Sequence, residues 1–300
     1  MKRLSAALLS LALLGAVSFP DAAPGPALAV PVSPHAAPAS DASSVNVEAI
    51  VKTLRPLLDI STFAQRLDDV GRLKAAGFIF QPELAVSDSS CPQDAAPDQR
   101  AVLSGMLAAD RSFAFFFGTP SQAAKANRLL VDLIGNTVPL VPEKDKKALR
   151  NPTSPEARRV LARLWAEESR RMLDIAARNE AHLRLVGAHL YGQFLEQTYL
   201  SSVMILAAAE SETLPPLRGL HTDLSCNQAA ILKALGKARC LGPDSETSDE
   251  RAAVVRQILE LFNNGTPTLS NLRTAVEIAQ NERGSFLAPC PLDAAPARMQ

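Results

Sequence analysis

The chain has 300 residues, with 31 basic side chains against 31 acidic ones and a hydrophobic content of 47%. This balance gives no excess of positive charge, which argues against nucleic acid or an anionic membrane surface as a partner. The length is sufficient for one large or two small domains, each with a real core.

The N-terminal residues have the pattern of a secretory signal peptide. Lys2 and Arg3 precede an apolar run over 4–17, and small residues allow cleavage after Ser18 or after Ala29. The run has about fourteen residues, fewer than the roughly twenty that span a bilayer. Because no cysteine near either site offers a lipid anchor, we expect a cleaved signal, a mature chain without a transmembrane segment, and a periplasmic or secreted location.

The next segment is poor in bulky apolar residues. It contains only Ala, Pro, Ser and Val with one His and one Asp, too little apolar surface to offset chain entropy, so we expect a disordered tether. The predicted organisation is a signal peptide at 1–29, a tether at 30–44, a helical domain at 45–284, and a C-terminal tail at 285–300 that a disulfide would tie down.

Through the rest of the chain, apolar residues recur every three or four positions, and no alternating strand pattern is sustained. The fold class is therefore predicted to be all-α, a single domain of nine or ten helices in antiparallel hairpins. Ser61, Ser121 and Ser154 are natural N-caps, and Pro155 favours a first helical turn. The expected helices cover 45–58, 61–77, 98–117, 121–134, 143–149, 154–179, 181–209, 221–237, 249–263 and 268–283.

The helix expected at 181–209 differs from the others, because Glu196 is its only formal charge from Leu185 to Ala209. A helix that is apolar nearly all round is buried, so we expect it at the centre of a helical bundle. A membrane span is the rival interpretation. Its His, Gln, Glu, Thr and Ser side chains make it too polar for a lone helix in lipid.

Four cysteines, Cys91, Cys226, Cys240 and Cys290, indicate disulfides in an exported protein, since their spacing contains no CxxC metal motif. A helix between Cys226 and Cys240 would separate them by roughly 20 Å, beyond disulfide reach. Of the two pairings left, the helix count favours Cys240 with Cys290 and Cys91 with Cys226. It places the ends of the helices before Cys240 and Cys290 at the same pole of the bundle.

Glu196 is the candidate centre of a buried polar site, because a carboxylate in a buried helix must be paired, protonated or facing a cavity. Gln193 and Tyr199 share its helix face, and His189 lies two turns before it. One interpretation is a ligand pocket with a tuned acid. The other is a core glutamate bonded to neighbouring helix ends or to an arginine.

No residues are assigned to catalysis or to a metal. His182, His189 and Glu196 repeat every seven residues, but about 10.5 Å of helix separates neighbours, too far for one metal to bridge. The sequence contains no HExxH, no GxSxG and no glycine-rich phosphate loop. We therefore expect no metal and no cofactor.

Two short motifs resemble those of a family of uncharacterised exported bacterial all-helical proteins, many of them lipoproteins. Residues 192–199, GQFLEQTY, resemble Gly-x-Trp-Ile-Glu-Gly-Leu-Tyr, and residues 105–113, GMLAADRSF, resemble Gly-x-x-Gly-Ala-Asp-x-Ser-Tyr. Gln197 departs from the second glycine of the first motif, and the lipid-acceptor cysteine of many members is missing. The resemblance implies an exported all-helical domain with Asp110 and Glu196 as helix-borne acids.

The expected function is a binding or scaffolding protein for an unknown protein or small-molecule ligand. The alternative is an enzyme of unfamiliar type with Glu196, Asp110 and His189 in one cavity, which requires these side chains to converge around an open pocket. A helical-repeat adaptor is a third interpretation, and it predicts a concave apolar groove.

Overall fold

The computed structural model describes residues 45–58, 74, 78–86, 95–134, 145, 149, 154–210, 220–262 and 268–287. Of this part of the chain, 86% is helical and none is in a strand, which confirms the all-α prediction. The signal peptide, the tether and most of the helices expected at 61–77 and 143–149 lie outside the described residues.

Eight α-helices form the described bundle. They are α1 (Val47–Leu54), α2 (Pro97–Phe117), α3 (Pro120–Ile134), α4 (Pro155–Ala176), α5 (Glu180–Glu210), α6 (Leu220–Lys237), α7 (Ser245–Phe262) and α8 (Leu269–Leu287). Short 3₁₀ turns lie at Arg55–Leu58 and Pro82–Leu84.

Side-chain caps set several of the helix starts. Ser154 accepts a hydrogen bond from the Ala157 amide at 3.1 Å, as its sequence position predicts. The prediction that Ser121 caps α3 is wrong. Thr119 accepts from the Gln122 amide at 3.3 Å, and the Gln122 side chain accepts from the Thr119 amide at 2.7 Å. This reciprocal capping box leaves Pro120 as the first helical residue.

Two helices are longer than predicted, α7 at its start and α8 at its end. Helix α7 begins at Ser245 rather than 249, because Asp244 caps it by accepting from the Thr247 amide at 2.8 Å. Its first turn is polar, so apolar periodicity carried no signal there. Helix α8 runs to Leu287, three residues into the predicted tail. Phe286 there packs against the core, with the Arg251 guanidinium 5.5 Å from its ring centre.

Helix α5 is the central helix, as predicted. It packs along α2 and also contacts α4, α6 and α8. Every residue from Val186 to Ser202 is buried except Gln197, which is partly exposed. Within the described part of the chain, no helix has the length and apolarity needed to cross a membrane.

Glycines allow α2 and α5 to touch backbone to backbone. A Cβ atom on Gly105 would lie 1.9 Å from the His189 carbonyl oxygen, and one on Gly192 would lie 2.0 Å from the Val102 carbonyl oxygen. Neither distance admits a side chain. The contact between α2 and α5 therefore requires glycine at both positions.

Among the cysteines, only the side chain of Cys240 is described. It is fully buried as a free thiol and donates to the Ala238 carbonyl at 3.2 Å. Burial raises the pKa of the Cys240 thiol to about 11, which disfavours the reactive thiolate. Cys91, Cys290 and the side chain of Cys226 lie outside the described part, so both predicted disulfides stay predictions.

Candidate functional site

An ion pair joins the central helix to the last helix. Arg283 of α8 donates from Nε to Glu196 Oε2 at 2.5 Å and from Nη2 to Glu196 Oε1 at 2.8 Å. The Glu196 side chain has 0% exposure and that of Arg283 has 8%. A two-point guanidinium contact is the strongest form of such a pair, and here it is nearly shielded from water.

Asp110 of α2 completes this cluster. Its Oδ2 accepts from the Val86 amide at 2.9 Å, whereas its Oδ1 meets no donor among the described residues. Burial, followed by the negative charge of Glu196, raises the pKa of Asp110 well above its ordinary value. Burial also raises the pKa of Glu196, and Arg283 opposes that rise. Asp110 therefore favours its neutral form beside the Glu196–Arg283 pair.

Arg283 makes two further contacts. Its Nη2 also donates to the Leu84 carbonyl at 2.8 Å, and its guanidinium lies 4.2 Å from the centre of the Tyr199 ring. We call Asp110, Glu196, Tyr199 and Arg283 the acid centre. With Asp110 neutral, its net charge is zero, which a buried polar cluster requires.

Of the five predicted site residues, three meet in the acid centre and two lie elsewhere. Gln193 is buried at the α2–α5 contact, beside Gly105. His189 lies 2.8 Å from the Ser104 hydroxyl through Nδ1. Burial, followed by the positive charge of Arg111, lowers the pKa of His189 to about 4, so its ring is neutral.

The seven-residue stripe of His182, His189 and Glu196 does not act as one unit. The Asn179 side chain accepts from the His182 amide at 2.9 Å, so His182 belongs to the start of α5. His189 contacts Ser104, and Glu196 binds Arg283. Each of the three residues has its own separate surroundings.

Sequence reasoning missed Arg283. A signal for it exists, because Leu272, Ala275, Ala279 and Arg283 are the buried residues of α8 and recur at helical spacing. An arginine in line with the apolar face of a helix indicates a buried cation that needs a carboxylate partner.

A surface groove of about 1200 Å³ lies between α1, the start of α5 and the end of α6. The lining of the groove includes apolar side chains and cationic side chains. The lining residues with apolar side chains are Val45, Ala49, Ile50, Ala230, Ala234 and Ala238, and the cations are Arg184, Lys233, Lys237 and Arg239. Sequence patterning did not identify this site.

Two of the groove cations already have partners. Arg184 donates to Glu180 at 2.7 Å and to the carbonyls of Arg239 and Gly242. Arg239 pairs with Asp249 at 3.3 Å. Lys233 and Lys237 are exposed, one helical turn apart, and form no ion pair with the residues that the structure describes.

Comparison of the chain with protein-family models, curated proteins and solved structures finds no match. The side chains of the acid centre and of the groove are therefore the basis for assigning a function.

Proposed function

We propose that this chain is an exported helical binding protein and that the groove between α1, α5 and α6 holds an amphiphilic anion. The observation that carries the proposal is the pair Lys233 and Lys237 beside an apolar lining. Like charges one turn apart on a helix repel each other, and a bound anionic group relieves that repulsion.

The groove supports a ligand with two different ends. Alanines from one face of α6 and Ile50 of α1 present small apolar surfaces that suit a hydrocarbon or aromatic body. The two lysines supply mobile ammonium groups suited to a carboxylate, sulfonate or phosphate. Arg184 is held by Glu180 and two carbonyls, so it shapes the wall of the groove.

The alternative, an enzyme built on Glu196 and Asp110, has less support. Both carboxyls are buried, with exposures of 0% and 1%, and Arg283 occupies both oxygens of Glu196. A substrate would have to displace a buried two-point ion pair from the interior of the bundle. A structural role for the acid centre fits this geometry better.

A fluorescence titration tests the groove. The probe is 1-anilinonaphthalene-8-sulfonate, which has an aromatic body and one negative charge. Its uncharged analogue N-phenyl-1-naphthylamine serves as the comparison. We expect the double variant K233Q/K237Q to weaken binding of the sulfonate about tenfold, since each exposed charge contact contributes up to about 1 kcal/mol. Binding of the uncharged dye should hardly change.

The matched control is Lys52→Gln, an exposed lysine on α1 that does not line the groove. It should leave both dyes bound as in the parent chain. Equal sulfonate affinity for K233Q/K237Q and K52Q, with unchanged helical circular dichroism, would contradict the proposal.

Export is part of the same proposal. Lys2, Arg3 and the apolar run over 4–17 support a secretory signal, and an oxidising compartment would favour the Cys240–Cys290 and Cys91–Cys226 pairs. Intact mass spectrometry of protein recovered from a bacterial periplasm, with and without reduction, tests both. We expect the loss of residues 1–29 and a gain of four hydrogens on reduction. A chain that keeps residues 1–29 and has four free thiols would argue against export to an oxidising compartment.

The proposed relationship to the exported all-helical family is supported by the motifs at 105–113 and 192–199. Gly105 and Gly192, which match the glycines of those motifs, lie at the α2–α5 contact. Asp110 and Glu196, which match their acids, meet in the acid centre. The matched positions therefore have structural roles that a related chain would also need.

A further inference from the structure

Arg111 of α2 is a buried arginine whose hydrogen-bonding capacity is mostly unused. Its side chain is 1% exposed, and its Nη1 donates to the Asn127 side chain of α3 at 3.2 Å. Its Nε and Nη2 meet no acceptor among the described residues. Buried donors are nearly always paired, so two unpaired groups on one guanidinium are a strong indication of a missing partner.

Arg283 shows what such a pair of donors binds in this fold. It uses the same two atoms, Nε and Nη2, to hold both oxygens of Glu196. These two N–H groups lie on one edge of the planar guanidinium and match the spacing of two oxygens on a planar anion. Arg111 presents the same edge without a protein carboxylate bound to it.

Other buried polar atoms near Arg111 are also unpaired. Glu168 of α4 is 2% exposed and has no partner for Oε1, and His189 of α5 has none for Nε2. Both residues interact electrostatically with Arg111. Three helices thus contribute polar groups to one region of the interior.

The charges in this region do not balance. Burial raises the pKa of Glu168 to about 8 despite the nearby Arg111 and Arg171, so this carboxyl is neutral at pH 7. His189 is also neutral, because its pKa is lowered to about 4. Burial lowers the pKa of Arg111 only to about 9, which leaves it charged. A buried cation without a counter-ion is unfavourable, and one monoanion would neutralise it.

We propose that the Nε and Nη2 edge of Arg111 binds a small planar oxyanion, of the size of formate or acetate, between α2, α4 and α5. The neutral Glu168 carboxyl adds an O–H donor to this region. This site is separate from the surface groove, since none of its residues lines that groove.

Thermal unfolding of the full chain in sodium formate, compared with sodium chloride at the same ionic strength, tests the proposal. A ligand that binds only the folded state stabilises it in proportion to the logarithm of its concentration. At about one hundred times its dissociation constant, formate should raise the melting temperature by about 5 °C more than chloride does. Equal effects of the two salts would overturn the proposal.

Two variants locate the effect. Arg111→Lys keeps a positive charge but lacks the two-donor edge, so the formate-specific rise should disappear. K233Q/K237Q should keep the rise in full, which separates this site from the proposed groove. A rise that survives in R111K, or is lost in K233Q/K237Q, places the anion elsewhere and contradicts the proposal.

A measurement on the unmodified chain covers the case in which R111K does not fold. A high-resolution crystal structure from formate-containing solution should show planar density against Arg111 Nε and Nη2. Density for water alone at that edge overturns the proposal. So does an adventitious ion only, that is, formate seen in the crystal without any formate-specific rise in melting temperature.

Discussion

At the residue scale, Arg283 determines the role of Glu196. A lone carboxylate in the middle of a buried helix indicates either a functional acid or a structural ion pair. The two-point contact with Arg283 occupies both carboxylate oxygens of Glu196. The favoured role is therefore to lock α2, α5 and α8 together.

Glu196→Gln tests this role. The amide preserves the shape of the side chain and removes its charge, leaving the Arg283 guanidinium buried without a full partner. We expect the free energy of unfolding to fall by about 3 kcal/mol, the range seen when one member of a buried pair is removed. Urea unfolding followed by circular dichroism measures the change.

Glu277→Gln is the control, because Glu277 lies on the exposed face of α8. That change should stay within about 0.5 kcal/mol. The double variant E196L/R283M removes both charges and should lose less stability than E196Q alone. Equal stability of E196Q and E277Q would show that the ion pair contributes nothing.

At the scale of elements, the α2–α5 contact is set by glycines rather than by large side chains. Gly105 and Gly192 bring the two backbones close enough to exclude a methyl group. This close packing brings together the parts of α2 and α5 that carry Asp110 and Glu196, whose charges interact. The geometry of the acid centre therefore depends on the small residues nearby.

Gly192→Ala should destabilise the protein by about 1–3 kcal/mol, the cost of overpacking a dense core, because its Cβ would lie 2.0 Å from the Val102 carbonyl oxygen. Gly284→Ala is the matched control within α8, where a Cβ would meet nothing within 4 Å. That variant should gain about 0.5–1 kcal/mol, since alanine favours helix. Melting temperatures that move in the same direction for both variants would disprove this account of the contact.

At the scale of the whole molecule, buried acids make stability depend on pH. Glu168 has a pKa of about 8 when folded, against an ordinary pKa of about 4.5 in the unfolded chain. Between these values the folded chain keeps a proton that the unfolded chain has released. Stability therefore falls as pH rises through that window, and Asp110 acts in the same direction. His189 opposes this trend only below pH 6.5, where the unfolded chain protonates it.

Glu168→Gln removes one of these buried titrating carboxyls and so measures its contribution to the pH dependence. From pH 6.5 to 8, we expect the free energy of unfolding to fall with pH in both chains. The slope for the parent chain should be steeper than that for E168Q by about 1.4 kcal/mol per pH unit. Urea unfolding at several pH values gives both slopes. Glu167→Gln changes the neighbouring carboxylate, whose side chain is 41% exposed, and should follow the parent chain. Parallel slopes for E168Q and the parent would refute the buried proton.

Prediction from the sequence succeeded where a local pattern carried the information. The Ser154 cap and the buried character of α5 follow from residues adjacent in the chain, and Glu196 was recognised from its isolation. It failed for the Thr119 capping box, where two neighbouring residues compete as caps. The polar first turn of α7 carried no periodic signal at all.

The candidate sites depended on contacts between distant residues. Glu196 and Arg283 are 87 positions apart, and the groove combines the start of α1 with the end of α6. No spacing rule within one helix reports such a pairing, because it depends on how helices pack. His189 illustrates this, since it shares the α5 sequence with Glu196 and yet contacts Ser104 instead.

The sequence by itself determined that the described chain is all-α, with α5 buried at its centre, because apolar periodicity and the lack of charge act locally along each helix. Only the tertiary structure decided that Glu196 is paired with Arg283 and that Arg111 has two unpaired donors. It alone also placed Lys233 and Lys237 beside an apolar groove. The physical reason is that burial and charge pairing are set by neighbours from other helices, which come together only when the bundle packs.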